Sequence, residues 1–101
     1  MMLGTAYRDR AQNDRYARLL DAREQAANAV ACEEDRLQNT IAVALIETQR
    51  LREATLDDMA LIARIGFALA QQGGLLRYRA GKVEAARLAL EQAEAALDRL
   101  R

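Results

Sequence analysis

Apolar residues recur along this chain at alternating three- and four-residue steps, the spacing that lays one stripe along an α-helix. In the first half the stripe runs Tyr16, Leu20, Arg23, Ala27, Val30, Glu34, Leu37, Ile41, Ala44, Thr48 and Leu51. In the second half it runs Ile62, Ile65, Leu69, Gln72, Leu76, Arg79, Val83, Ala86, Leu90, Ala93, Leu97 and Leu100. Eight of the first eleven positions and ten of the second twelve are apolar. Both halves therefore predict amphipathic helices, and the second carries the cleaner stripe. Each stripe needs another helix to cover it.

Two places can interrupt the helix. At 52–58 the stripe would fall on Thr55 and Asp58, both polar. Thr55 followed by Leu56, Asp57 and Asp58 resembles a helix cap with acidic residues in the first turn, where they suit the positive end of the helix dipole. A turn here divides the chain into a first arm at about 5–53, a turn at about 54–56 and a second arm at about 56–100. Arms of near-equal length cover each other's stripe, which predicts a long antiparallel two-helix coiled-coil hairpin as a single domain. One uninterrupted helix that dimerises is the rival geometry, because the phase also continues across the gap.

The other breaker is Gly73-Gly74. Each glycine costs about 1 kcal/mol against alanine inside a helix. The stripe nonetheless passes from Leu69 to Gln72 to Leu76 without losing phase. A continuous, soft and kinked helix is expected there, with a tight turn as the alternative. The stretch 1–14 is diluted by Gly4, Asn13 and Asp14, and is expected to fray.

Composition narrows the class further. Of 52 apolar residues, 22 are alanine, which buries little area. The remaining 30 are thin for a globule and adequate for a narrow seam. There is no proline, and β-branched residues are scarce, which argues against a β fold. Fifteen basic and fifteen acidic residues cancel, so the excess positive charge of a general nucleic-acid binder is missing. Arg8, Asp9 and Arg10 follow the first residues at once, so no apolar signal core is expected. The longest uncharged stretch, 65–76, is too short to span a bilayer. A cytoplasmic protein without membrane insertion is the expectation.

The inventory of reactive groups is poor. With no histidine and one cysteine, zinc constellations and the usual general bases are missing. Glu33, Glu34 and Asp35, and likewise Asp57 and Asp58, are sequence neighbours that do not share a helix face. They read as solvated charges or caps. Cys32, two residues after Val30, reads as a small buried or half-buried thiol. No catalytic residue, metal site or cofactor is expected. The most basic run, 77–82, offers Arg77, Arg79 and Lys82 as candidate contacts to a partner. Arg79 falls on the stripe itself and can snorkel from it.

Two segments carry a resemblance: YARLLDAREQAANAV at 16–30 and LIARIGFALAQQGGLLRYRAGKVEAARLALEQAEAALDRL at 61–100. With Ala70-Gln71-Gln72, the run from Val83 to Arg87 and the closing leucine ladder, the chain resembles the flagellar FliJ and type III secretion YscO/SctO stalk proteins. The resemblance implies a two-helix antiparallel coiled coil like the central stalk of rotary ATPases. It implies entry into a hexameric export ATPase, contact with the export gate and binding of chaperones. It implies no catalytic residue. Outside that family, the same stripes suit a small self-associating coiled-coil protein, such as a secretion chaperone or a phage or plasmid regulator. A helix pair binding RNA or DNA through Arg77, Arg79 and Lys82 is disfavoured by net charge.

Overall fold

Alanine, leucine, arginine, glutamate and glutamine lose little freedom on entering a helix, so a proline-free chain rich in them stays helical over long stretches. A computed structural model describes residues 2–100, and the side chains of 10–100. Helix α1 spans Met2–Glu53 and helix α2 spans Met59–Asp98. The protein is an all-α helical hairpin. Helix α1 is already formed at Met2, so the stretch expected to fray is helical from its second residue. It holds a single glycine and no proline to break it.

The reversal falls at 54–58. Arg50 and Arg52 stand in the last turn of α1, where cations complement the negative end of its dipole. The Ala54 amide donates to the Leu51 carbonyl at 3.3 Å, tightening the exit. The Asp58 amide then donates to the Thr55 carbonyl at 3.1 Å, closing a β-turn over 55–58. Asp58, not Thr55, caps α2. Its Oδ1 accepts from the Leu61 amide at 3.0 Å, three residues into the helix. Its carbonyl accepts from the Ile62 amide at 3.1 Å, the first bond of the helical ladder. Thr55 cannot take this role because the turn consumes it. The two-helix reversal needs these few residues, so the cap moves three positions downstream of the sequence expectation.

Removing this cap tests it. Asp58→Ala is expected to lower stability by about 1 kcal/mol, and Asp58→Asn to leave it near the starting value, since asparagine caps equally well. Urea denaturation followed by circular dichroism reads the difference. Equal loss in both variants would mean that the charge matters rather than the hydrogen bond.

Contacts group the residues into two compact units, Met1–Ala31 with Ala85–Arg101, and Cys32–Glu84. In the first unit Leu97 is the one buried large side chain among the described residues, at 2% exposure. Leu20, Val30, Ala86, Leu90, Ala93 and Leu100 are half-buried around that stripe. Tyr16, Arg23 and Ala27, placed on the stripe by spacing, are exposed. In the second unit Ile65 and Val83 are buried. Leu37, Ile41, Ala44, Thr48, Leu51, Ile62, Leu69, Gln72, Leu76 and Arg79 are half-buried.

Thr40 is buried in the second unit although it lies off the expected stripe. Its hydroxyl donates to the Arg36 carbonyl at 2.9 Å, and that of Thr48 to the Ala44 carbonyl at 2.8 Å. Each hydroxyl is satisfied inside its own helix, so threonine sits in the seam as a small apolar residue would. Cys32 is exposed, against the expectation of a covered thiol. Two residues after Val30 is about 200° round the helix, so the side chain leaves on the far side.

Helix α2 runs without interruption through Gly73 and Gly74, and no glycine among the described residues has positive φ. A tight turn at this pair is thereby excluded. By length and composition the helical stretch Met59–Leu100 is apolar enough to cross a membrane. It contains an 18-residue window of mean hydropathy 1.3, of which 6% is buried.

Candidate interaction surface

The candidate contacts at 77–82 lie on α2 within the second unit. Arg77 and Lys82 are exposed, and Arg79 is half-buried. Tyr78 stands between them, more than half exposed. Lys82 Nζ lies 5.5 Å from the Tyr78 ring centroid and Arg79 Cζ lies 5.7 Å from it. Both cations are within reach of the ring's negative face. Arg79 and Lys82 are thus gathered on one aromatic ring. Arg77 stays apart from it on the solvent side of the helix.

Arg79 is also where the seam of the second unit turns polar. Its Nε is buried without a hydrogen-bond partner, as are Gln72 Oε1 and Glu33 Oε2. A groove of about 260 Å³ opens beside them, lined by Arg36, Asn39, Thr40, Val43, Gln72, Leu75 and Arg79. Arg36 Nη1 donates to Glu33 Oε1 at 2.8 Å, one turn back on its own helix, with the guanidinium half exposed. Arg50 makes the same pair with Glu47 at 3.1 Å. Solvated pairs at this spacing contribute about 0.3–0.5 kcal/mol each. They orient the arginines and hold little of the fold.

Polar atoms left unpaired in a seam cost stability, and polar residues at seam positions can fix the register between helices. Among the described residues no group of three or more histidine, cysteine, aspartate or glutamate side chains could hold a metal ion. In the first unit a second groove of about 490 Å³ is lined by Leu20, Arg23, Glu24, Ala27, Leu90 and Glu94. Its lining combines three apolar side chains with three charged ones.

Spacing alone did not single out the large apolar side chains that face solvent. Leu45, Ile46, Leu56, Met59 and Phe67 are all at least 60% exposed, and all belong to the second unit. For Phe67 the signal was present in the sequence as a second set of three- and four-residue steps, 60, 63, 67, 70 and 74, on the side of α2 away from the seam. No family model, curated protein or solved structure matches the chain.

Proposed function

We propose that this chain is a non-enzymatic helical adaptor, working like the central stalk that couples a type III export ATPase to the export gate. The observation that carries the reading is a hairpin whose polar residues are spent on seam alignment and surface charge. Its exposed side chains suit contact with other proteins. The similarity of 16–30 and 61–100 to FliJ and YscO/SctO supplies the kind of partner. In this reading the protein is cytoplasmic and uses no cofactor. It takes protein partners, the hexameric ATPase, the gate or chaperones, in preference to nucleic acid. Arg77, Arg79 and Lys82 supply charged contacts to that partner.

The test is co-purification with a hexameric export ATPase encoded beside it, together with the ATP turnover of that enzyme. Binding and a changed turnover are expected, with Arg77→Glu and Lys82→Glu together weakening both. No binding to any such ATPase would remove the stalk reading.

A second reading is a self-associating coiled-coil protein, favoured by the exposure of Ile46 and Phe67. Light scattering coupled to size exclusion separates the two. A stable dimer or tetramer at all concentrations supports self-association, and a concentration-independent monomer supports the adaptor.

A further inference from the structure

Over 59–83 the outward side of α2 is apolar where a solvated helix carries charge. Ala60, Ala63, Phe67, Ala70, Gly74 and Tyr78 follow at three- and four-residue steps, and all six are exposed. Phe67 is 68% exposed and Tyr78 is 56% exposed. Charge is segregated in the same stretch. It holds Arg64, Arg77, Arg79 and Lys82 and not one aspartate or glutamate, in a chain whose charges sum to zero. Arg64, Arg77 and Lys82 are exposed.

We propose that this face of α2 rests on a membrane surface rich in anionic phospholipid. Phe67 and Tyr78 enter the boundary between headgroups and acyl chains, while Arg64, Arg77 and Lys82 meet the headgroup phosphates and carboxylates. An apolar face flanked by cations is the pattern of a helix that lies in the interface plane. The long stems of arginine and lysine let the helix sink while their charges stay at headgroup level. The high hydropathy and small buried share of the apolar window fit a helix with one side in lipid. Arg64 and the seam side of the same stretch, where Ile65 and Val83 are buried, make it a helix that lies on the bilayer.

Charge separates this occupant from a second copy of the chain. Laid against itself in either direction, the stretch 59–83 offers its cations no acidic residue to pair with. An anionic bilayer presents the opposite charge at every position. Alanine and glycine give a shallow face, so the apolar and electrostatic contributions are both needed, and loss of either one removes most of the binding.

The contact does not rest on the adaptor reading, and vesicles without any ATPase test it alone. The full chain is floated with vesicles of pure phosphatidylcholine and with vesicles in which phosphatidylserine replaces a third of it. Binding to the anionic vesicles is expected, falling as salt is raised, with little binding to the neutral ones. Phe67→Glu is expected to weaken it about tenfold, as is Arg77→Ala with Lys82→Ala. Circular dichroism checks that each variant keeps its helix, which is expected because none of these side chains enters the seam. Binding to neither vesicle, or equally to both, overturns the proposal. So does a dimer in sedimentation that Phe67→Glu dissolves, since the face would then belong to a second copy.

Discussion

Leu97→Ala is expected to cost the hairpin about 3 kcal/mol, within the range of about 2–5 kcal/mol for emptying a buried leucine site. Leu97 is 2% exposed and is the most deeply covered large side chain among the described residues. The loss combines the apolar area returned to water with the cavity left between helices that close only partly. It is large against the total, because a domain of this size holds about 5–15 kcal/mol and, among the described residues, only Ile65, Val83 and Leu97 form the buried apolar core. At roughly 4–8 °C per kcal/mol the melting temperature falls by about 12–24 °C. Leu88→Ala supplies the control. Leu88 is more than half exposed on the same helix, and its truncation is expected to stay within about 0.5 kcal/mol. Hydrogen exchange adds position to magnitude. Loss of protection from Leu97→Ala should concentrate in Met1–Ala31 and Ala85–Arg101, and loss from Ile65→Ala in Cys32–Glu84. Equal losses for Leu88 and Leu97 would mean that the seam does not hold the helices.

Helix α2 shows how far spacing alone can lead. All twelve stripe positions from Ile62 to Leu100 are buried or half-buried. Leucine, isoleucine and valine hold most of them, so the phase is fixed by side chains large enough to matter. Helix α1 is less legible. Tyr16, Arg23 and Ala27 are exposed, while Glu33, Thr40 and Glu47, off the stripe, are half-buried or buried. The covered strip on α1 is wider than a single line of positions. A polar residue at its edge is tolerated when it bonds locally, as Thr40 does to Arg36 and as Glu33 and Glu47 do to the arginine three residues on. Spacing counts those residues as solvent-facing because it registers polarity and not the hydrogen bond that offsets it.

The cap and the surface failed to read for different reasons. Thr55 and Asp58 are both good caps, and only the length of chain needed to reverse direction chooses between them. That length becomes visible once the turn closed by the Asp58 amide is seen. The exposed face of α2 was hidden by the stripe itself. In a helix apolar on two sides, the stronger stripe absorbs the attention and the weaker one reads as filler. Phe67 belongs to that weaker set, and its exposure is what separates it from the core. For Arg79 the sequence placed a charge on the seam, and the structure adds that its Nε is enclosed and unpaired.

Gly73→Ala combined with Gly74→Ala is expected to stabilise the protein by about 1–2 kcal/mol, since each glycine in a helix interior costs roughly 0.5–1 kcal/mol against alanine. The sign depends on conformation and space. Both residues lie inside α2, neither has positive φ, and a Cβ built on either one meets nothing within 4 Å. An added methyl therefore clashes with nothing in the folded state and restricts the unfolded chain, which is where most of the gain arises. The melting temperature should rise by roughly 4–8 °C for each kcal/mol gained. A fall would mean that the helix opens at this pair in solution with a backbone that only glycine adopts. The same variant bears on the membrane face, because Gly74 lies between Phe67 and Tyr78 on the outward side. Alanine there adds apolar surface and leaves the charge unchanged. Binding to anionic vesicles should hold or strengthen while stability rises. Loss of binding together with a higher melting temperature would show that the face needs a yielding helix, and not only its side chains, to settle on lipid.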